Sequence, residues 1–128
     1  MSQEFRMGVG VDIESIDRFR QLDKVKNRNF LDKIYTSHEL EYCYTMNNAG
    51  PHLAGKFCGK EAVIKALTSI GHPGIHYNEI EITNAEGQAP KVSLLRGNRD
   101  VTLHISVSHS RDMAIALAIA IIIPCYLQ

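Results

Sequence analysis

The stretch GKFCGKEAVIKAL, residues 55–67, places Glu61 among lysines within an otherwise apolar helical pattern. On a helix, Glu61 and Lys65 are four residues apart and are therefore neighbours, in the favoured order of acid before base. An ordinary ion pair on a helix surface would explain this spacing.

Two glycines in the same stretch suggest a second interpretation. Gly55 and Gly59 are four residues apart, and each costs about 1 kcal/mol relative to alanine inside a helix. Their spacing indicates that another group approaches this face closely. Because Lys56 and Lys60 lie on the neighbouring face, a phosphate clasped by these lysines is one hypothesis. A helix that merely packs against the core is the other.

A third polar cluster, VSHSR at residues 107–111, lies between two strongly apolar segments. Ser108, His109 and Ser110 lie where the chain turns, and a turn exposes backbone N–H groups that can bind phosphate oxygens. A β-turn with locally bonded hydroxyls would use the same residues. A Ser-His-Asp triad lacks the nucleophile motif that would support it.

Basic residues are concentrated in RFRQLDKVKNR, residues 18–28, where Asp23 is the acidic residue among them. The basic side chains of this strip are Arg18, Arg20, Lys24, Lys26 and Arg28. Such a run is either a solvated helix face or a docking surface for an acidic partner.

Length and composition predict one globular domain over residues 1–128. The chain has equal numbers of acidic and basic residues and is 45% hydrophobic, which is typical of a soluble domain with its own core. Net charge near zero argues against a nucleic-acid binder that relies on a global basic field.

Cysteine usage and the lack of a membrane segment predict a cytoplasmic protein. The three cysteines are odd in number and form no CxxC pair, which favours reduced thiols. No basic-then-apolar signal pattern opens the sequence. The longest apolar run, residues 113–123, is too short to span a bilayer.

Hydrophobic periodicity predicts an α+β fold, with helices early and a mainly antiparallel sheet late. The predicted strands cover residues 6–13, 79–84, 91–95, 101–109 and 113–122, with a turn at residues 86–88. The predicted helices are short helices within residues 14–35, a helix from Thr36 to about Met46 that begins with a capping box, and a long helix over residues 52–70.

Four separated motifs resemble those of the holo-[acyl-carrier-protein] synthase family of 4'-phosphopantetheinyl transferases. In chain order they are GVDIESIDR, FLDKIYTSHELEYC, GKFCGKEAVIKAL and ISVSHSRDMAIALA, and the likeness extends from Gly8 to about Ala120. The resemblance implies transfer of the phosphopantetheine arm of coenzyme A to a carrier-protein serine. The pathways in which such carriers act include fatty-acid and polyketide biosynthesis.

For the catalytic site, the resemblance implies that Asp12 and Glu61 bind a divalent metal, which would be Mg2+. Magnesium typically takes one or two protein carboxylates and completes its shell with water and phosphate oxygens. Lys65 would then lie beside the coenzyme A pyrophosphate. Glu61, directly or through a metal-bound water, is the first candidate for the base that takes the serine proton, with Asp12 as second choice.

The resemblance also assigns coenzyme A contacts and partners. It places His109, Ser108 and Ser110 near the coenzyme A phosphates and the turn from Gly87 to Pro90 close to the adenine. It implies that the basic strip docks an acidic acyl carrier protein, through Arg18, Arg20, Lys26 and Arg28. It further implies a homotrimer with coenzyme A bound where subunits meet, with apolar strand surface from residues 113–123 at the contact.

Two departures from the family pattern and two alternative functions stand beside this interpretation. Phe57, Cys58 and Gly59 replace small alanines that commonly precede the KEA motif, and the tail IIIPCYLQ is unusually apolar. One alternative is a degenerate module that binds coenzyme A or a carrier without transfer. The other is a metal-dependent hydrolase of nucleotide pyrophosphates.

Overall fold

The computed structural model describes residues 4–97 and 100–124. Its strands are β1 (Arg6–Ser15), β2 (Ile80–Thr83), β3 (Lys91–Leu94), β4 (Thr102–His109) and β5 (Met113–Ile122), and its α-helices are α1 (Ile16–Arg20), α2 (Arg28–Ile34), α3 (Ser37–Thr45) and α4 (Ala49–Ser69), with a 3-10 turn at Tyr77–Glu79. Helices therefore dominate the first half and strands the second, as the sequence predicts for an α+β fold.

The strands form two antiparallel sheets rather than one. The larger sheet has the order β1-β5-β4, and β2 pairs with β3 in a separate ribbon. Across the larger sheet, Asp12 lies opposite Ala116 of β5, and Ala116 lies opposite Val107 of β4. The central strand β5 thus separates the polar end of β1 from β4.

Helix α4 packs on one face of the larger sheet, and glycines in β1 make this close packing possible. A β-carbon on Gly10 would lie 1.9 Å from the carbonyl oxygen of Ala62, and one on Gly8 would lie 2.2 Å from that of Ala66. Such distances are impossible for a real side chain, so β1 and α4 approach backbone to backbone. This contact fixes the register of the β1 polar residues against α4.

The start of α4 differs from the sequence prediction. The sequence predicts a long helix over residues 52–70, but α4 already begins at Ala49 and contains Gly50 and Pro51. Proline is tolerated there because the first-turn N–H groups of a helix have no intrahelical partner. The Asn48 side chain caps the helix by accepting from the N–H of Gly50 at 3.3 Å.

The predicted capping box at Thr36 is confirmed. The Thr36 side chain accepts from the N–H of Glu39, and the Glu39 side chain accepts from the N–H of Thr36. The second Glu39 carboxylate oxygen accepts from the backbone N–H of Ile82 at 2.7 Å. One buried carboxylate therefore joins the start of α3 to β2.

One apolar cluster joins the helices to the inner face of the larger sheet. Ala114, Ala116, Ala118 and Ala120 of β5 are at most 1% exposed beneath α4. Cys43 and Cys58 are buried free thiols, and burial raises the pKa of each to about 12. Cys125 lies outside the described residues. In the part of the chain that is described, no helix is long and apolar enough to cross a membrane.

The outer face of the larger sheet is apolar and uncovered along β1 and β5 in the single chain, whereas β4 presents Thr102, His104, Ser106 and Ser108 there. Its exposed large side chains are Met7, Val9, Val11 and Ile13 of β1 and Met113, Ile115 and Leu117 of β5. We call this surface the open face. Contiguous exposed apolar surface of this kind marks an interaction site in soluble proteins.

Candidate functional site

Asp12 provides the buried carboxylate of the site. It lies on β1 on the same face as Gly10, beneath α4, and its side chain is 12% exposed. One carboxylate oxygen, Oδ1, accepts from the Lys65 Nζ at 3.4 Å. The other, Oδ2, is buried and has no hydrogen-bond partner among the described residues. A buried oxygen without a partner is costly unless another group occupies the adjacent space.

Glu61 lies on α4 and is held by a tyrosine that the sequence analysis did not identify. The Tyr77 hydroxyl donates a hydrogen bond to Glu61 Oε1. This hydrogen bond, followed by burial, raises the pKa of Tyr77 to about 12. The phenol therefore keeps its proton at neutral pH and remains a donor to the carboxylate.

Glu14 is a further acidic residue of the site that the sequence analysis missed. Burial, then the neighbouring Asp12 carboxylate, raise the pKa of Glu14 to about 7, with Arg18 opposing the effect and Glu61 adding to it. The signal was present in the sequence. Asp12 and Glu14 are two residues apart in a strand, so their side chains lie on the same face.

Lys65 does not pair with Glu61, its neighbour on the helix. Its Nζ donates to the carbonyl oxygen of Val11 at 2.9 Å and to Asp12. Lys65 thus bridges α4 and β1, and about half of its side chain stays exposed. Lys65 lies beside Asp12, and Asp12 and Glu61 are both close enough to Glu14 to raise its pKa.

Lys60 is a structural residue, and the hypothesis that it clasps a phosphate is wrong. Its side chain is fully buried and forms an ion pair with Glu39 at 2.6 Å. Its Nζ also donates to the carbonyl oxygens of Ile34, Tyr77 and Ile80. With its donors used inside the core, Lys60 cannot reach a solvent-borne phosphate.

Gly59 also serves packing rather than ligand approach. A β-carbon there would lie 2.7 Å from the Ile82 Cδ1 and 3.6 Å from the Ile105 Cδ1, so side chains of β2 and β4 occupy the adjacent space. A β-carbon on Gly55 would lie at an ordinary 3.4 Å from the Val107 Cγ1, and Gly55 lines a cavity. Of the two competing interpretations, the packing helix is correct at Gly59.

The cavity beside Gly55 has a volume of about 230 Å³ and lies between α4, β4 and the end of β2. Its polar lining residues are Tyr42, His52, Lys56, Asn84 and His109. Lys56 is buried. Its Nζ donates to the Ile82 carbonyl oxygen at 2.6 Å and to the Asn84 Oδ1 at 2.8 Å. A lysine has three donors, so one remains for an anion in the cavity.

Of the other residues predicted to contact coenzyme A, some line this cavity and others do not. His109 and Pro90 line it, whereas Gly87 does not and adopts a positive φ of 72° in its turn. Ser108 is exposed on β4. The Ser110 hydroxyl accepts from the backbone N–H groups of Asp112 and Met113, so Ser110 stabilises the turn locally.

We call Asp12, Glu14, Glu61 and Lys65 the carboxylate cluster. Within one chain, among the described residues, this cluster shares no member with the lining of the cavity. Since β5 lies between β1 and β4, Asp12 and His109 are at least about 10 Å apart at their backbones.

The basic strip is less positive than the sequence suggests, because acidic residues outside it pair with its arginines. The pairs are Arg18 with Glu14 at 2.8 Å, Arg20 with Asp17 at 2.6 Å and Arg28 with Asp32 at 3.0 Å. The Arg20 and Arg28 pairs are exposed or half-exposed, and such pairs are weak, whereas Glu14 in the Arg18 pair is largely buried. Arg18 remains 60% exposed and also lies over the ring of Phe57.

The carboxylate cluster fits one small divalent cation. The unpartnered Asp12 Oδ2 and the Glu61 carboxylate supply the hard oxygen ligands that Mg2+ prefers. Among the described residues, no group of three or more His, Cys, Asp or Glu side chains is arranged to hold a metal. A cation here would therefore depend on water and substrate oxygens for its remaining ligands, as Mg2+ commonly does.

Comparison with known proteins gives the same family from sequence and from structure. The family described as the 4'-phosphopantetheinyl transferase superfamily matches residues 8–119. A holo-[acyl-carrier-protein] synthase from Chlamydia felis is 41% identical over 119 residues, which is 89% of this chain and 96% of that protein.

Two solved structures share the fold. A holo-(acyl-carrier-protein) synthase from Bacillus anthracis, in complex with coenzyme A (3',5'-ADP), has a TM-score of 0.74 at 25% identity, covering 92% of this chain and all of that one. The Helicobacter pylori holo-[acyl-carrier-protein] synthase, in complex with coenzyme A, has a TM-score of 0.73 at 29% identity, covering 88% of this chain and 98% of that one.

Proposed function

The chain belongs to the 4'-phosphopantetheinyl transferase superfamily, and we infer that it is a holo-[acyl-carrier-protein] synthase. It transfers the 4'-phosphopantetheine group of coenzyme A to a serine hydroxyl of an apo acyl carrier protein. The serine oxygen forms a bond to the β-phosphorus of coenzyme A, the bond to the bridging oxygen breaks, and 3',5'-ADP leaves.

The observation that carries this proposal is the meeting of Asp12, Glu61 and Lys65 at the β1–α4 contact, with one Asp12 oxygen buried and unpartnered. Asp12 and Glu61 would hold Mg2+. When bound, the ion neutralises charge on the pyrophosphate and on the transition state. Lys65 is the mobile cation beside it, and its half-exposed ammonium can turn from Asp12 to a phosphate oxygen.

The serine proton needs an acceptor within hydrogen-bond reach. We assign this role to Glu61, acting directly or through water, because Tyr77 fixes one of its oxygens and leaves the other for the substrate side. Asp12 is the second choice because Lys65 already donates to one of its oxygens.

The nucleotide end of coenzyme A would occupy the cavity lined by His52, Lys56, Pro90 and His109. The basic groups suit its phosphates, and the apolar lining suits an adenine. Because this cavity and the carboxylate cluster are separate within one chain, a single coenzyme A would use the cavity of one subunit and the carboxylates of another. The open face supplies apolar surface for a contact between subunits, and the family resemblance favours a homotrimer.

Carrier docking is assigned to the basic strip around α1 and α2. Arg18 lies next to the carboxylate cluster through its ion pair with Glu14, so an acidic carrier helix held there would bring its serine near Glu61. Arg20, Lys26 and Arg28 would add long-range attraction that weakens as salt rises. An enzyme of this kind acts in the cytoplasm, on carriers of fatty-acid or polyketide biosynthesis.

The test is the intact mass of an apo acyl carrier protein after incubation with the enzyme, coenzyme A and Mg2+. We expect a gain of one phosphopantetheine group, its loss with a chelator, and its loss in Asp12→Ala and Glu61→Ala at unchanged melting temperature. Coenzyme A binding without transfer would indicate the degenerate module. Release of 3',5'-ADP without any carrier would indicate the hydrolase.

Docking is tested separately with Arg18→Glu. We expect the KM for the carrier to rise about tenfold or more through charge reversal at the interface, with the KM for coenzyme A unchanged. Lys91→Glu on β3, outside the strip, is the matched control. An unchanged carrier KM in Arg18→Glu would remove the strip from the proposal.

A further inference from the structure

The acidic residues of the site differ in the kind of group that holds them. Asp12 receives a hydrogen bond from the ammonium of Lys65 at 3.4 Å, and Glu14 receives one from the guanidinium of Arg18 at 2.8 Å. Glu61 receives its hydrogen bond from the neutral phenol of Tyr77. A neutral donor orients a carboxylate without cancelling its negative charge.

We propose that Tyr77 is a positioning residue that holds the Glu61 carboxylate in the orientation that binds the divalent cation. The proposal rests on the function inferred above and adds a residue that the family motifs did not mark. Tyr77 does not touch the substrate in this assignment. It acts through Glu61.

Tyr77 is itself fixed at both ends. Its backbone carbonyl oxygen accepts from the Lys60 Nζ at 2.9 Å, and its ring stacks on Phe57 with a centroid distance of 5.4 Å and an interplanar angle of 28°. Phe57 in turn packs against Phe19 at 5.4 Å. A side chain locked by packing and a backbone hydrogen bond can impose an orientation on its partner.

Lys60 and Glu61, adjacent residues of the KEA motif, both bind Tyr77, one at its main chain and the other at its hydroxyl. Lys60 reaches from α4 through the core to the Tyr77 main chain, and the Tyr77 hydroxyl returns to Glu61, the next residue of α4. Both contacts require Tyr77, which begins the 3-10 turn at residues 77–79. Buried Lys60 therefore supports the cation site without contacting it.

Removal of the hydroxyl separates positioning from packing. Tyr77→Phe keeps the ring on Phe57 and removes the donor to Glu61. Tyr44→Phe is the matched control, because the Tyr44 hydroxyl has no hydrogen-bond partner among the described residues. Both variants should melt close to the wild-type temperature.

The first measurement is Mn2+ binding, which is monitored through the electron paramagnetic resonance signal of the free ion. We expect Tyr77→Phe to bind Mn2+ about tenfold more weakly than wild type, which is the usual effect of losing a hydrogen bond to a metal ligand. Tyr44→Phe should bind as wild type does. Equal affinity in Tyr77→Phe and wild type would overturn the proposal, whatever happens to transfer.

The second measurement is the Mg2+ dependence of transfer. In Tyr77→Phe the half-saturating Mg2+ concentration should rise about tenfold, the rate should recover toward wild type at high Mg2+, and the carrier KM should stay the same. A lower rate that high Mg2+ does not restore, with unchanged Mn2+ affinity, would also overturn it. If wild type binds Mn2+ but transfers nothing, the proposed function fails while the Mn2+ comparison still decides the role of Tyr77.

Discussion

At the scale of single residues, Lys65 is half exposed and contacts one backbone oxygen and one side-chain oxygen of β1. It donates to Val11 and Asp12, and its side chain is 53% exposed. Because the ammonium of Lys65 is half exposed, we expect its pair with the more buried Asp12 to contribute only about 1 kcal/mol to stability. Under the proposed function, we expect the main role of Lys65 to be catalytic.

We predict that Lys65→Ala lowers the kcat of transfer by about 100-fold or more, the usual effect of removing a group that stabilises transition-state charge. Its melting temperature should change little. Kinetics by carrier mass and a thermal melt test both parts, with Lys91→Ala as control. A near-normal kcat would show that Lys65 only ties α4 to β1.

His52, one of the two histidines that line the cavity, leads to a prediction about the stability of the fold at acid pH. Burial, then the charge of Lys56 and that of His109, lower the pKa of His52 below its ordinary value of 6.5, and Tyr42 packs edge-on against its ring. The unfolded chain therefore binds a proton at His52 before the folded chain does. Stability due to neutral His52 is present above pH 6.5 and is lost as pH falls through the lower folded pKa.

We accordingly expect His52→Gln to lose less free energy of unfolding than wild type between pH 7 and pH 5. Urea unfolding at several pH values measures this difference. His76→Gln, which changes an exposed histidine outside the cavity, is the control. Parallel pH profiles for His52→Gln and wild type would contradict the prediction.

At the scale of elements, the buried pair of Lys60 and Glu39 joins α4 and α3 to the strand β2. Glu39 accepts from the N–H groups of Thr36 and Ile82, and Lys60 donates to three carbonyl oxygens in addition to the ion pair. Burial lowers the pKa of Lys60, while the charge of Glu39 opposes this effect. Satisfied buried networks of this kind lose much more when one member is removed than an exposed pair does.

Lys60→Met should therefore reduce the free energy of unfolding by about 3–5 kcal/mol, because Glu39 and the carbonyl oxygens lose their partner inside the core. Urea denaturation measures the loss. The exposed Lys65→Ala is the comparison, and a similar small effect in both variants would contradict the structural role of Lys60.

At the scale of the whole molecule, the open face and the divided site point to the same assembly. The outward side chains of β1 and β5 are apolar over their length, and the nucleotide cavity is separate from the carboxylates of its own chain. We predict that the protein is a trimer with three times the chain mass of 14.3 kDa. Light scattering coupled to size-exclusion chromatography measures this mass.

The double variant Val9→Asp/Leu117→Asp should dissociate the trimer, because each change buries a charge at the apolar contact. It should lose transfer at the same time while keeping its helical circular dichroism. Leu95→Asp, at an exposed position outside the open face and the basic strip, should do neither. A monomeric wild-type enzyme with full activity would contradict the shared site.

The sequence alone determined the local structure and the family. Apolar alternation predicted the strand of Asp12, and helical spacing predicted the long helix of Glu61. The Thr36–Glu39 spacing predicted the capping box, and the order of four motifs predicted the phosphopantetheinyl transferase family. These features depend on neighbours within one element or on motif order. Both can be read without knowing what packs against each face.

The tertiary structure decided which groups face each other across elements. It placed Lys60 in the core with Glu39, turned Lys65 from Glu61 to Asp12, and brought Glu14 and Tyr77 to the site. Spacing on a helix or strand fixes which side chains share a face, but the partner of that face comes from segments distant in sequence. Whether a lysine meets solvent, a carboxylate or a carbonyl oxygen is therefore settled by how α4 packs on β1 and β2.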